Sequence, residues 1–330
     1  QGQGSNRAAM APSQTNSMMT RRKESIETGH GAVGGSGSLA SQGAGGKPCQ
    51  NSQAVMIFAK AIHLGSSLMS ASAAAIAAWV LGQHENGQRY QPLPADLRPA
   101  DLATAYQVQA RLATAWAPHR GPVAGYKIAV TSKAIQELCK MESPCAGRLF
   151  ADEIKTGPAA LSLGDYTRLG LEFELALRVG QDLAPGHGPW DVDNVRDHVA
   201  TVAAAFEMVD DRNADYDHLD GLSLVADNSW AAGVVLGPEC AEWRDLDLTA
   251  TPVALTHNGI TDQAVTGAAM GNPLASLAWV ANLLNAEGGQ VKAGEIVITG
   301  STLATRFPAA GDQLEYMVDG VGEVALTITA

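Results

Sequence analysis

Residues 170–180 read Gly-Leu-Glu-Phe-Glu-Leu-Ala-Leu-Arg-Val-Gly. Large apolar residues alternate with small or charged ones, which is the period-2 pattern of a half-buried β-strand. Glu172 and Glu174 therefore fall on one face of the strand, one pleat repeat apart. Two carboxylates this close repel each other, so the pKa of one should rise unless a cation compensates both charges. A divalent ion that prefers oxygen ligands, such as Mg²⁺ or Mn²⁺, would do so; the alternative is that both side chains point into solvent.

Composition limits the classes of protein to which the chain can belong. It has 330 residues, 46% of them hydrophobic, with 34 acidic against 22 basic residues and a formal net charge of −12. This hydrophobic content suffices for the core of a large soluble globular domain. The acidic balance disfavours a nucleic-acid partner, because such proteins usually carry a basic surface. The cysteines form no Cys-x-x-Cys pair, so we expect neither a disulfide framework nor a structural zinc, and we expect a cytoplasmic location.

The N-terminal residues 1–68 are predicted to be a disordered, tag-like extension, because most of this stretch is rich in Gly, Ser, Gln and Asn. The apolar stretch over residues 54–81 is interrupted by Lys60, His63 and Gly65. It is therefore too short to span a membrane, and we expect no membrane anchor. We predict a single folded domain over residues 69–330, with a helical part over about 69–120 and a β-rich core over about 121–330.

The hydrophobic periodicity predicts the secondary structure of this domain. Helices are predicted over residues 70–81, 101–116, 191–202 and 272–285. Strands are predicted over residues 123–130, 170–180, 204–209, 230–236, 253–265, 295–299 and 314–329, with a hairpin turn at Asn258-Gly259. No Gly-x-Gly-x-x-Gly follows a strand and no β-α-β unit repeats, so a doubly wound nucleotide-binding sheet is disfavoured. The pattern favours an α+β fold with mixed, mainly antiparallel sheets.

Six short motifs occur in a characteristic order along the chain. They are Gly-Tyr-Lys-Ile-Ala-Val-Thr at 125–131, Leu-Glu-Phe-Glu-Leu-Ala-Leu at 171–177, Phe-Glu-Met-Val-Asp-Asp-Arg at 206–212, Val-Ala-Asp-Asn at 225–228, Asn-Pro-Leu at 272–274 and Gly-Glu-Ile-Val-Ile-Thr-Gly at 294–300. Together, over roughly residues 70–330, they resemble the 2-keto-4-pentenoate hydratase and 4-oxalocrotonate decarboxylase branch of the fumarylacetoacetate hydrolase superfamily. The resemblance implies rolled, barrel-like β-sheets with flanking helices.

The resemblance also implies a metal site. Its positions in this chain are Glu172, Glu174 and Glu207, which would bind Mg²⁺ or Mn²⁺. The alternative for Glu207 is an ion pair with Arg212 or a neighbouring basic group. The adjacent acids at positions 210 and 211 rank behind Glu207 as ligands.

Further residues take roles only through the resemblance. Lys127 matches a family lysine that sits near the substrate, where it would hold a carboxylate or, with its pKa lowered by the metal and burial, move a proton. Many hydratases of this branch carry an aspartate where this chain has Cys145, which is therefore a candidate substitute for a missing catalytic acid. The candidate substrate-binding residues are Arg148, Leu149, Asp227, Asn228, Ser301 and Thr302. For Asp227 and Asn228 the alternative is that they cap a turn.

The implied activity is that of a metal-dependent lyase acting on small anionic 2-oxo acids in aromatic-compound degradation. The first expectation is hydration of 2-hydroxypenta-2,4-dienoate to 4-hydroxy-2-oxopentanoate, and the alternative is decarboxylation of 4-oxalocrotonate. Hydrolysis of acylpyruvates ranks lower, because no histidine lies between Tyr126 and Leu171. A metal-binding relative without catalysis is a further alternative. Relatives imply a homo-oligomer, and a complex with another enzyme of the pathway is a further expectation.

Overall fold

The carboxylate-bearing strand lies in the middle of a seven-stranded sheet. The computed structural model describes residues 71–186 and 188–330, so the extension predicted over residues 1–68 lies outside the described residues. The helices are α1 (Ala73–Glu85), α2 (Leu102–Arg120), α3 (Lys133–Cys139), α4 (Val192–Val195), α5 (Gly221–Ala226) and α6 (Pro273–Ala286). The strands are β1 (Val123–Ala129), β2 (Cys145–Phe150), β3 (Ile154–Thr156), β4 (Ala159–Ser162), β5 (Leu169–Val179), β6 (Val199–Asp210), β7 (Ala231–Leu236), β8 (Pro252–His257), β9 (Ile260–Val265), β10 (Ile296–Ile298), β11 (Gln313–Val318) and β12 (Gly322–Thr329).

The strands form two mixed, mainly antiparallel sheets. The larger has the order β2-β1-β10-β5-β6-β7-β3, and the smaller has the order β4-β12-β11-β8-β9. Three pairs are parallel, β1 with β10, β3 with β7 and β4 with β12, and the others are antiparallel. The predicted α+β class with mixed sheets is confirmed.

The larger sheet curls so that strands distant in its order share one core. Leu149 on β2 and Leu236 on β7 belong to the same buried cluster, although four strands lie between β2 and β7. The other members come from β5, β6, β7 and β10: Ala176, Ala205, Ala231, Val234, Ile296 and Ile298. We call these eight residues the floor cluster. The curl is incomplete, because β2 and β3 remain edges of the sheet, so the barrel-like closure expected from the sequence does not form.

The convex face of this sheet packs against the smaller sheet through aromatic rings. Phe173 on β5 lies with its ring centroid 5.8 Å from Phe206 on β6 and 5.9 Å from Tyr316 on β11. All three side chains are fully buried. Because successive residues of a strand point to opposite faces, this packing leaves Glu172 and Glu174 on the concave side of the sheet.

Two helix N-caps and one hairpin turn form at the positions predicted from the sequence. Asp101 caps α2 by accepting a hydrogen bond from the Thr104 amide, and Asn272 caps α6 by accepting one from the Leu274 amide. Asn258 and Gly259 join β8 and β9 with positive φ angles of 51° and 82°, as a tight hairpin turn requires. These three predictions are confirmed.

The helix predicted over residues 191–202 is wrong in its second half. Asp191 begins a helix through a capping box, but α4 ends at Val195 and a 3₁₀ turn over Arg196–His198 follows it. The next residues belong to β6 and pair with the end of β5, with Val199 opposite Val179. Pairing with a long buried strand overrides the helical signal there. No helix among residues 71–186 and 188–330 is long and apolar enough to cross a membrane.

The aromatic contact between the two sheets generates a stability prediction. Replacing the fully buried Phe173 with alanine should lower the free energy of unfolding by about 3–5 kcal/mol, because it leaves a cavity where the sheets meet. Replacing Ile260, which is 73% exposed, should change it by no more than about 0.5 kcal/mol. Urea unfolding followed by circular dichroism measures both values. Equal losses in the two variants would contradict this packing.

Candidate metal centre

Three glutamates meet on the concave face of the larger sheet. Glu172 and Glu174 project from β5, and the antiparallel register places Glu172 directly opposite Glu207 on β6. One oxygen from each carboxylate lies within 4.8 Å of the others. Glu174 and Glu207 are fully buried, whereas Glu172 is partly exposed. The site therefore opens on the Glu172 side.

The hydrogen bonds of these carboxylates leave oxygen atoms free. Thr305 Oγ1 donates to Glu172 Oε1 at 2.7 Å, and the Gly300 amide donates to Glu174 Oε2 at 2.7 Å. Glu174 Oε1 and Glu207 Oε2 are buried and receive no hydrogen bond from the described part of the chain. A buried carboxylate oxygen without a donor is costly unless a cation binds it. Three carboxylates with free oxygens are a donor set that suits a hard divalent ion such as Mg²⁺.

The electrostatics of the cluster agree with this fit. Burial, opposed by the nearby charge of Lys127, raises the pKa of Glu207 to about 7. Burial and the charges of Glu207 and Glu172 raise the pKa of Glu174 well above its ordinary value. The residues that the structure describes therefore do not supply enough positive charge for three ionised carboxylates. A divalent cation would supply it.

Lys127 provides the one basic side chain of the described residues that contacts this cluster. Its ammonium group contacts Glu207 Oε1 and donates to the Ser229 carbonyl oxygen at 3.0 Å. Two strands, β10 and β5, lie between β1, which carries Lys127, and β6, which carries Glu207. The lysine reaches the glutamate across them because the sheet curls. Burial by itself would lower the pKa of Lys127, but the charges of Glu207 and Glu172 outweigh burial and raise it. The lowering expected from the resemblance includes a bound metal, and it stays a prediction.

A left-handed turn holds the carbonyl that Lys127 contacts. Asn228, Ser229 and Trp230 have φ angles of 54°, 51° and 57°, a run that non-glycine residues rarely adopt. The Asn228 side chain fixes the turn to β2, because its Oδ1 accepts from the Arg148 amide at 2.7 Å and its Nδ2 donates to the Arg148 carbonyl at 2.9 Å. Asn228 is 2% exposed, so its side chain positions the turn and does not face the open end of the site.

Gly147 allows the lysine and the turn to approach each other. A Cβ atom at this position would lie 2.6 Å from the Asn228 carbonyl oxygen and 3.0 Å from Lys127 Cγ. Gly147 stands opposite Lys127 in the ladder between β1 and β2. A larger residue at position 147 would therefore collide with the turn and with the Lys127 side chain on the concave face.

Cys145 lies two residues before Gly147, on the same face of β2. Its thiol is fully buried, 3.5 Å from Ser229 Oγ. Burial raises the pKa of the Cys145 thiol to about 11, so the group is neutral at neutral pH. A neutral thiol can donate a hydrogen bond or a proton, but it does not replace an ionised aspartate as a base.

The other sequence-predicted residues lie away from the carboxylates or serve the fold. Arg148 points to the opposite side of β2, where it contacts Gln109 of α2 and lies 3.8 Å from Glu287. Leu149 is fully buried in the floor cluster. Neither placement favours a contact with substrate.

Asp227 lines a cavity to which none of the three glutamates contributes. Its two carboxylate oxygens contact His84 of α1 and Arg212. The cavity has a volume of about 260 Å³ and is also lined by Trp116 and Trp230. Arg212 thus pairs with Asp227, so Glu207 forms no ion pair with Arg212, and the neighbouring basic group that pairs with Glu207 is Lys127. Asp210 accepts hydrogen bonds from the backbone amides of Thr167 and Arg168, directly before β5. Asp211 forms a bidentate ion pair with the Arg168 side chain.

Ser301 and Thr302 fasten the segment after β10 to β5. The Ser301 hydroxyl accepts from the Phe173 amide at 2.9 Å, and the Thr302 hydroxyl lies 2.9 Å from both the Phe173 carbonyl and the Tyr316 hydroxyl. Their hydroxyls therefore hold the segment in place. Thr305 completes the site further along the segment, and sequence reasoning missed it because a threonine in a loop carries no periodic signal.

Comparisons with known proteins agree with the fold. The family model for the fumarylacetoacetate (FAA) hydrolase C-terminal domain matches residues 151–329. The chain is 32% identical over 260 residues to the 2-keto-4-pentenoate hydratase of Burkholderia vietnamiensis, covering 78% of this chain and 98% of that protein. It is 33% identical over 211 residues to the 2-hydroxyhexa-2,4-dienoate hydratase of Comamonas testosteroni, covering 63% of this chain and 78% of that protein.

A solved structure gives the same result. The 4-oxalocrotonate decarboxylase of Pseudomonas putida G7, complexed with magnesium and adipate, matches with a TM-score of 0.71 and 25% identity. The match covers 78% of this chain and 97% of the decarboxylase. The family resemblance read from the sequence motifs is therefore confirmed.

The buried carboxylates generate a binding prediction. Glu174→Gln should weaken Mn²⁺ binding by at least about 10-fold, the loss that disturbing even an outer-shell group produces. The metal-free variant should unfold at a temperature no lower than the parent, because the glutamine cannot ionise and so avoids the repulsion from Glu172 and Glu207. Thermal unfolding across a Mn²⁺ titration measures both effects. Glu315→Gln, at an exposed position on β11, is the control. An unchanged Mn²⁺ response in Glu174→Gln would contradict the metal centre.

The contact at Gly147 generates a second prediction. Gly147→Ala should lower the free energy of unfolding by about 1–3 kcal/mol, because the added methyl group overlaps the turn and the Lys127 stem. Gly82→Ala should instead raise it by about 0.5–1 kcal/mol, because Gly82 lies in α1 with open space around it. Denaturant titration of both variants measures the signs. A stabilised Gly147→Ala variant would show that the two groups do not approach as described.

Proposed function

The chain belongs to the fumarylacetoacetate hydrolase family, and we propose that it is a divalent-metal-dependent lyase that hydrates 2-hydroxypenta-2,4-dienoate to 4-hydroxy-2-oxopentanoate. The observation that carries the proposal is the group of three carboxylates with a buried lysine on the concave face of the curled sheet. The names of relatives that cover most of the chain support the same activity.

The proposed reaction has two proton-dependent steps. The dienol takes a proton at C5 and loses the proton of its C2 hydroxyl, which gives the 2-oxo-3-enoate. Water then adds across the C3–C4 double bond, with its oxygen at C4 and a proton at C3. A bound divalent cation, Mg²⁺ or Mn²⁺, would act as a Lewis acid that polarises the C2 oxygen. Under the proposal Glu172, Glu174 and Glu207 hold this ion.

The protein groups have distinct tasks in this scheme. Lys127 holds positive charge beside Glu207 and offers donors to an anionic substrate or moves a proton. The Ser229 carbonyl fixes the direction of that ammonium group. Cys145 and Ser229 offer a neutral thiol and a hydroxyl close to the lysine. As neutral donors, these groups are the candidates for the proton-donating role of the aspartate that this chain lacks.

The charges around the site favour a monocarboxylate over a dicarboxylate. Arg148, a basic residue among the substrate-binding candidates from the sequence, points to the other side of β2. Arg168 lies directly before β5, and its guanidinium group is paired with Asp211 through Nε and Nη2. A second carboxylate of the substrate would therefore meet no unpaired cation among these groups.

Decarboxylation of 4-oxalocrotonate is the second candidate. The observation that favours it is the aspartate missing at the position of Cys145. That aspartate would help to activate water, and the departure of CO₂ requires no attacking water. The match to the decarboxylase structure is compatible with this reading. The homo-oligomeric state, a complex with a pathway enzyme and the cytoplasmic location also remain proposals, and they rest on the resemblance alone.

A parallel assay tests the proposal. Purified protein with Mg²⁺ should consume freshly prepared 2-hydroxypenta-2,4-dienoate, followed by ultraviolet absorbance, and yield 4-hydroxy-2-oxopentanoate by mass spectrometry. Lys127→Met should lower kcat/KM by about 100-fold or more, the size of a typical acid–base contribution. Lys292→Met, at an exposed position, should leave it unchanged.

The products decide between the candidates. CO₂ release from 4-oxalocrotonate without turnover of the dienoate would replace the hydratase proposal with the decarboxylase. Mn²⁺ binding without turnover of either compound would identify a relative that has lost catalysis.

A further inference from the structure

We propose that Phe307 forms the apolar wall that contacts the substrate beyond C5, and that it makes the enzyme favour an alkyl tail on C5 over a charged one. This inference rests on the proposed function and names the substrate class of the same site. It concerns a side chain to which neither the motifs nor the comparisons give a role.

The backbone register places Phe307 on the face of the metal centre. Arg306 and Leu171 form an antiparallel bridge, with hydrogen bonds of 2.8 and 2.9 Å between their backbone groups. In this register Thr305 stands opposite Glu172 and Phe307 stands opposite Gly170. Thr305 confirms the geometry, because its hydroxyl donates to Glu172 Oε1. The Phe307 ring therefore lies one pleat repeat, about 7 Å, along β5 from Glu172.

The opposite direction along β5 is closed. The residue after Glu174 on the concave face is Ala176, which belongs to the floor cluster. On the neighbouring strand β10, Ile298 stands opposite Ala176 and Ile296 stands opposite Arg178, and both isoleucine side chains are buried. A substrate chain held at the carboxylates therefore extends towards Gly170. Exposure follows the same direction, from the fully buried Glu174 to the partly exposed Glu172.

Gly170 gives the Phe307 ring its position. A Cβ atom at Gly170 would lie 3.3 Å from the Thr305 methyl carbon and 3.4 Å from Phe307 Cε1. The Arg168 guanidinium carbon lies 4.6 Å from the ring centroid, and its pairing with Asp211 holds it there. The ring is thus supported from β5 and by Arg168, while the side chain remains 49% exposed. An apolar group of a ligand that covers the exposed part of this ring would remove apolar surface from water, which is favourable.

The length of the substrate matches this distance. In a 2-hydroxydienoate held by its carboxylate and C2 oxygen, C5 lies three carbon–carbon bonds of about 1.5 Å beyond C2. An alkyl group on C5 then extends past Glu172 to the level of Gly170. The free substrate end meets an aromatic ring, and the nearest guanidinium group is already paired with Asp211. An apolar tail is therefore favoured over a charged one.

The experiment compares two substrates in the parent enzyme, two Phe307 variants and one control variant. Parent enzyme, Phe307→Ala and Phe307→Leu are assayed with Mg²⁺ on 2-hydroxypenta-2,4-dienoate and on 2-hydroxyocta-2,4-dienoate, which carries a propyl group on C5. Phe307→Ala should lower kcat/KM roughly 10-fold for the octadienoate, the effect of losing one or two apolar contacts, and less than about 2-fold for the pentadienoate. Phe307→Leu should keep most of the activity on both. Ile260→Ala removes another exposed apolar side chain, at the hairpin of the smaller sheet, and should change neither value.

The outcomes separate this inference from the proposed function. An unchanged ratio of the two kcat/KM values in Phe307→Ala, with the parent active on both substrates, overturns the role of Phe307 only. Equal losses on both substrates also overturn it, because they indicate a structural effect. Absence of turnover of either dienoate by the parent enzyme overturns the proposed function first, and the inference with it.

Discussion

The structure depends on the repulsion between carboxylates that share one buried face. Glu174 and Glu207 are both fully buried, and Glu172 stands directly opposite Glu207 across the β5–β6 ladder. Within the described chain, Lys127 is the basic side chain in contact with them, and one positive charge does not balance three negative ones. Burying unbalanced charge costs several kcal/mol per ion even after relaxation. A site of this kind is stable in its ionised form when a divalent cation completes it.

The rest of the concave face is arranged around that cluster. The curl of the sheet brings β1 to β6, so Lys127 reaches a glutamate two strands beyond its nearest neighbour. A strained left-handed turn, fixed by the Asn228 side chain, supplies the carbonyl that directs the lysine, and Gly147 leaves the space for both. Apolar side chains close one end of the curl, and the other end opens past Phe307. Under the proposals above, the metal centre and Lys127 would hold the charged end of a small acid, and Phe307 would contact its apolar end.

Much of this arrangement follows from local sequence signals. The alternation around Glu172 and Glu174 predicts the strand and the shared face of the carboxylates, and the order of the motifs identifies the family and Glu207 as their partner. Capping by Asp101 and Asn272 depends only on neighbouring residues, and both caps form as predicted. The signals that succeeded are short-range or belong to a family pattern.

The features that could not be predicted from the sequence depend on packing between residues that are far apart in the chain. Period-2 alternation does not reveal that the sheet curls, so the contact of Lys127 with Glu207 needed the structure. It also does not reveal which face of β2 looks inward, and Arg148 points away from the site for that reason. At Val199 the pairing with Val179 extends β6 backwards into the predicted helix. Thr305 and Phe307 lie in an irregular segment whose register is fixed by a single bridge to Leu171.

The most direct test of the metal centre is anomalous diffraction from a crystal of the protein grown with Mn²⁺. We expect one strong anomalous peak within bonding distance of oxygen atoms from Glu172, Glu174 and Glu207. Bond lengths of about 2.0–2.6 Å to these oxygens would be typical of a hard divalent ion. Full Mn²⁺ occupancy elsewhere on the protein, with the three carboxylates free of metal, would contradict the central claim.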